Sequence, residues 1–83
     1  NTVCPGMIWT GLWEHLSARR LNVAGDRSTS GRDFFLERIR QNTALGREQT
    51  PEDIGKAVAF LVSDRARNIT GQALNVDSGS QMN

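Results

Sequence analysis

Residues 50–64, TPEDIGKAVAFLVSD, decide the fold class, because a helix start and a one-sided apolar pattern fall together in this stretch. Thr50 is a capping residue type, and Pro51 suits the first helical position, where its missing N–H costs nothing. Glu52 and Asp53 set negative charge against the positive end of the helix dipole. Ile54, Ala57, Val58, Leu61 and Val62 then recur at i, i+3, i+4, i+7 and i+8, a single apolar stripe. The spacing predicts a helix over about residues 51–64 with one buried face, and so a second layer for that face to cover.

Beyond this helix, RARNIT (65–70) is a polar connection and Gly71 permits a turn. QALNVDSG (72–79) alternates in the manner of one short strand before Asp77-Ser78-Gly79 ends the pattern. Upstream, ALGREQT (44–50) is a connection in which Gly46 stops a preceding helix. GLWEHLSARRL (11–21) and RDFFLERIRQN (32–42) each read as an amphipathic helix, joined by the mobile, Gly/Ser/Thr-rich VAGDRSTSG (23–31). At the amino end Thr2-Val3-Cys4 is the tail of a strand that Pro5 ends by removing a backbone donor. The order of strand tail, two helices, capped helix and terminal strand is that of an α/β chain with parallel strands and a right-handed crossover. Two short parallel strands do not make a stable sheet, since parallel sheets sit in larger folds with helices on both faces. The expectation is a piece of a larger α/β domain, entered partway through a strand, or a chain completed by another.

Composition narrows the function. The 83 residues hold at most one small domain. One cysteine, Cys4, rules out an internal disulfide, and with one histidine, His15, no metal site is expected. A formal net charge of +1 provides no global field for nucleic acid or an anionic membrane. No apolar run approaches the roughly 20 residues that cross a bilayer, so the protein is read as soluble and cytoplasmic. Asn68-Ile69-Thr70 fits a glycosylation acceptor pattern, but nothing in the sequence points to secretion.

The first candidate site is PGMIWT (5–10), a turn leaving a strand at the edge where open α/β folds hold ligands. Pro5-Gly6 lets the backbone pass close to a ligand, and Ile8 can offer main-chain groups. Thr10 can bond a phosphate or amide, or simply cap the next helix. Trp9, Leu12, Trp13 and Leu16 either line an apolar pocket or pack on the core. His15 beside Glu14 lacks the partners of a catalytic set and reads as a surface histidine. Cys4 reads as a small buried side chain, and the arginines at 19, 20, 38, 40, 65 and 67 as a solvated surface.

Three segments together resemble the carboxy-terminal part of the short-chain dehydrogenase/reductase family, whose members bind NAD or NADP on a Rossmann-like fold. NTVCPGMIWT is similar to the family's N-x-V-x-P-G-x-I-x-T, with Asn1, Val3, Pro5, Gly6, Ile8 and Thr10 in place. ALGREQTPEDIGKAVAFLVSD resembles P-L-G-R-x-x-x-P-E-[DE]-I-A, and ITGQALNVDSG resembles I-T-G-Q-x-L-x-V-D-G-G. Ala44, Gly55 and Ser78 depart from the pattern, where proline, alanine and the first glycine of the closing pair are usual. Gly55 is expected to weaken its helix by roughly 1 kcal/mol relative to alanine.

The resemblance implies one segment of a doubly wound parallel sheet comprising the last two strands, the lid helices and one core helix. Residues 1–10 would be the strand end and cofactor turn, 11–43 the substrate lid, and 44–83 the capped helix and last strand. Pro5, Gly6, Met7, Ile8 and Thr10 would lie along the nicotinamide half of NAD or NADP, with Trp9, Leu12, Trp13 and Leu16 toward substrate. No residue here would be catalytic, since the family's glycine-rich turn and its Ser, Tyr and Lys lie upstream of the matching segments, and the chain has no tyrosine. The implied function is a part of an oxidoreductase interconverting an alcohol and a ketone by hydride transfer, inactive as this chain alone, in a cytoplasmic homotetramer. The alternative is a non-catalytic fragment docking on a larger homologue, and a third reading is a lone dinucleotide-binding domain.

Overall fold

The computed structural model describes residues 1–81. Its order is strand β1 (Thr2–Pro5), helix α1 (Gly11–Ala24), helix α2 (Gly31–Asn42), helix α3 (Pro51–Leu61), a 3-10 turn (Asp64–Ala66) and strand β2 (Ala73–Val76). The strands pair in parallel, Thr2 opposite Ala73 and Pro5 opposite Val76. Asn1 staples their entry: its amide nitrogen donates to the Ile69 carbonyl and its amide oxygen accepts from the Gln72 N–H. At the exit the Gly6 N–H donates to the Val76 carbonyl at 3.1 Å.

α3 begins as its sequence predicts. Thr50 caps it in an extended conformation with Pro51 at the first position, and the Thr50 N–H donates to the Asp53 carboxylate at 2.8 Å. The helix ends at Leu61, three residues before the expected Asp64, because Ser63 turns back: its N–H and hydroxyl both donate to the Phe60 carbonyl. α2 ends at Asn42, as its sequence segment does, but by another closing residue. Thr43, not Gly46, closes it, with N–H and hydroxyl both donating to the Ile39 carbonyl. The loop expected to be mobile is organised around Asp26. Its carboxylate accepts from the N–H and hydroxyl of both Ser28 and Thr29, and these bonds, with the Thr29 hydroxyl foremost, lower its pKa to about 2.

Two bodies of structure result. α3 packs on β1 and β2, while α1 and α2 pack on each other and on no other element among the described residues. The buried apolar side chains are Leu21, Phe35, Ile39 and Ala66, three of them in the α1–α2 hairpin and none on α3. The α3 stripe is only partly covered: Ile54, Ala57 and Leu61 are half-buried, whereas Val58 is 42% exposed and Val62 79%. The molecule measures 52 × 23 × 17 Å with a radius of gyration of 15.7 Å, against about 12 Å for a compact domain of this length. A sheet of two strands covers only part of the face that the α3 sequence is patterned to bury.

Candidate functional site

The run from Pro5 to Thr10 leaves the carboxyl end of β1 and enters α1. Pro5 is exposed, Gly6, Met7, Ile8 and Trp9 are half-buried, and Thr10 is exposed at the helix start. Thr10 takes the capping position with φ −139° and ψ 173°, but its side chain makes no capping bond. Only its carbonyl is engaged, by the Glu14 N–H at 2.9 Å. The main-chain N–H and C=O groups of Met7, Ile8 and Trp9 make no hydrogen bond among the described residues. Half-buried peptide groups normally find partners, so this turn presents unspent donors and acceptors beside a free hydroxyl. The adjoining α1 amino terminus offers orphan N–H groups of the sort that hold phosphate.

Gly6 is fixed from behind. A Cβ there would stand 2.6 Å from the Asp77 Cβ, 2.9 Å from the Asp77 Cα and 2.9 Å from the Gln49 side-chain nitrogen. Asp77 is buried at the end of β2 and accepts from the Gly79 N–H at 2.9 Å, the Gln81 N–H at 3.0 Å and the Ser80 hydroxyl at 3.1 Å. Burial pushes the Asp77 carboxyl up, but these donors outweigh it and hold the group below the usual carboxylate range. Gln49 is also buried, with neither amide atom bonded among the described residues. Asp77 and Gln49 line a polar cleft of about 450 Å³ with Arg47, Asp53 and Asn75. The sequence reading gives neither a site role: Asp77 is a strand stop and a matched position of the closing motif, and Gln49 sits in a connection. The available signals are a carboxylate directly after a strand and its match to the Asp of the resembled ending.

Both loops at this end are joined by backbone bonds. The Leu45 N–H donates to the Ser78 carbonyl at 2.9 Å and the Ala44 N–H to the Gly79 carbonyl at 3.4 Å. Ala44, standing where the resembled pattern has proline, thus makes a bond that proline lacks the N–H to form. A Cβ on Gly79, whose φ is +85°, would meet the Ala44 Cβ at 2.7 Å. Ser78, the other departure, has φ +57°, which glycine adopts freely and an L side chain does not. Ser78→Gly is therefore expected to raise stability in urea denaturation by about 0.5–1 kcal/mol, the relieved left-handed strain less the added freedom of the unfolded chain.

The expected substrate-facing residues divide. Trp9 and Trp13 converge edge-on upon Phe35, with ring centroids 5.2 and 5.5 Å away. Leu12 is 65% exposed, and Leu16 lies in an outer groove of α1 with Arg19, Arg20 and Val23. Arg32, unremarked in the sequence, places its guanidinium 5.3 Å from the Trp9 ring and pairs with Glu48. His15 is exposed and Cys4 half-buried. Among the described residues no group of three or more His, Cys, Asp or Glu is placed to hold a metal, and no helix is long and apolar enough to cross a membrane.

Comparison with known proteins gives this geometry a context. A family model described as enoyl-(acyl carrier protein) reductase matches residues 1–81. L-2,3-butanediol dehydrogenase of Corynebacterium glutamicum is 35% identical over 83 residues, which are 100% of this chain and 31% of that protein. Among solved structures, a short chain dehydrogenase family protein of Francisella tularensis superposes with a TM-score of 0.78 at 31% identity, over 96% of this chain and 31% of its own. A 4-hydroxyisoleucine dehydrogenase mutant complexed with NADH and succinate superposes with a TM-score of 0.60 at 27% identity, covering 94% of this chain and 27% of its own. The chain thus spans less than a third of each of these proteins.

Proposed function

The chain belongs to the short-chain dehydrogenase/reductase family, and on that premise we propose that it forms the nicotinamide-side wall and substrate lid of an NAD(P)-dependent oxidoreductase acting on an alcohol/ketone pair. The observation that carries this reading is the turn from Met7 to Thr10, with its unspent main-chain groups and free Thr10 hydroxyl. Bound nicotinamide supplies or takes up the hydride. This chain's share is to bind and orient: the Ile8 N–H and C=O hold the carboxamide, Thr10 bonds the carboxamide or pyrophosphate, and Pro5, Gly6 and Met7 line the approach. Trp9 and Trp13, backed by Phe35, supply apolar surface that excludes water on the substrate side. Leu12 and Leu16 belong to the same lid, on its outer flank. Proton transfer falls to residues of the larger domain outside this segment.

The groove of about 330 Å³ formed by Asn1, Val3, Val58, Leu61 and Val62 is the face that such a domain covers with its own elements. A cytoplasmic homotetramer, with α3 and β2 near the subunit contacts, belongs to the same reading and rests on the family resemblance. Near-balanced charge favours a small-molecule partner over nucleic acid.

Titration of NADH and NADPH against the full-length protein and against the isolated 83 residues tests the proposal. Saturable binding of one nucleotide to the full-length protein is expected, with none in the micromolar range for the isolated segment. A full-length protein that binds neither nucleotide overturns it.

A further inference from the structure

The α1–α2 hairpin packs on no other element among the described residues, yet it lies beside the cofactor turn. The side chains that bridge this gap converge on one residue. Arg32 occupies the first turn of α2, where a cation opposes the helix dipole, so its placement answers to tertiary contacts and not to the helix. Its guanidinium carbon is 5.3 Å from the Trp9 ring centroid and 5.9 Å from that of Phe35, inside the range of cation–π attraction. Its Nη2 pairs with the Glu48 carboxylate, two residues ahead of the α3 cap. One side chain therefore touches the cofactor turn, the lid and the entry to α3. Trp9, the residue it covers, lies between Ile8 and Thr10, and the edge-on Phe35 ring restricts it from another side.

We infer that Arg32 is a positioning residue: anchored by Glu48, its guanidinium lies over the Trp9 ring and so sets the Ile8 main chain and the Thr10 hydroxyl toward the nicotinamide while holding the lid hairpin against the turn. The inference rests on the reading of residues 5–10 as the nicotinamide turn. Glu48 holds the guanidinium plane in place and Trp9 receives it. Only Nη2 pairs with Glu48, and Nη1 has no hydrogen-bond partner among the described residues, so what a lysine ammonium would lack here is the flat guanidinium face over Trp9.

The test uses the full-length protein and its variants Arg32→Met, Arg32→Lys and Glu48→Gln, with nucleotide affinity from quenching of tryptophan fluorescence, steady-state kinetics and urea denaturation. For Arg32→Met, nucleotide Kd and substrate KM are expected to rise about tenfold, the loss of a partly desolvated stacked cation, while kcat at saturation changes less than about threefold. Arg32→Lys should recover less than half of that loss, and Glu48→Gln should raise Kd about threefold. If Arg32→Met does not fold, Arg32→Lys and Glu48→Gln decide alone. Variants with nucleotide Kd and substrate KM within twofold of the parent overturn the inference, including the case in which only the urea midpoint falls. A parent protein that binds neither NADH nor NADPH overturns the nicotinamide reading and this inference with it, an outcome distinct from a binding parent with indifferent variants.

Discussion

Phe35→Ala is expected to lower the stability of the full-length protein by about 4 kcal/mol, toward the upper end for a buried aromatic ring. Phe35 has no exposed surface and sits between two indoles, so its removal opens a cavity that Trp9 and Trp13 meet only edge-on. The hairpin has little else to compensate, since its remaining buried apolar side chains are Leu21 and Ile39. The near-ultraviolet circular dichroism of the two tryptophans should weaken together with the fall in urea midpoint, because the same ring orders both. A variant with parental tryptophan dichroism and a loss below about 1 kcal/mol would show that the hairpin core lies elsewhere, since a filled cavity leaves only a fraction of the usual cost.

Gly6→Ala should have an effect of similar size by the opposite route, overpacking. The new methyl would overlap the Asp77 Cβ at 2.6 Å and the Asp77 Cα at 2.9 Å, and Gly6 is held in place by its N–H bond to Val76. Asp77 cannot step back without breaking bonds from Gly79, Ser80 and Gln81. The expected cost is about 3 kcal/mol, the top of the usual range for one added methyl group because backbone and not a flexible side chain is struck. Since Ile8 and Thr10 follow within four residues, nucleotide affinity should fall as well. Urea denaturation and NADH titration of the same preparation check both effects. Unchanged values in both would mean that β1 leaves the sheet by another path.

Much of the fold was legible because its signals are local. The Thr50-Pro51 start, the parallel pairing of two short strands and the existence of two helices before α3 stand where the residues place them, but α1 runs three residues past its expected end at Leu21, to Ala24, before Gly25 closes it in the left-handed conformation. How helices close was less legible: Ser63 ends α3 early and Thr43, not Gly46, closes α2, by bonding back to carbonyls three and four residues away, an option those side chains have but need not take. At the candidate site the turn from Pro5 to Thr10 was visible as a turn after a strand. That Trp9 and Trp13 would meet on one ring while Leu12 and Leu16 turned elsewhere was not, because all four residues fit an amphipathic helix start equally well.

What the residues determine by themselves is whatever depends on neighbours within about one helical turn: caps, apolar stripes, and the strand ends at Pro5 and Asp77. The tertiary structure alone decides what stands opposite each side chain. Phe35 is buried and Val62 exposed although both are apolar, because one faces two indoles and the other lines an open groove at the edge of a two-stranded sheet. Gly6 must be glycine because Asp77, 71 positions away in the chain, fills the space where a side chain would stand. Arg32, its side chain still 41% exposed, is turned toward the Pro5–Thr10 run because Trp9 and Glu48 flank it. Burial, close approach and charge pairing depend on distances that only the folded chain sets.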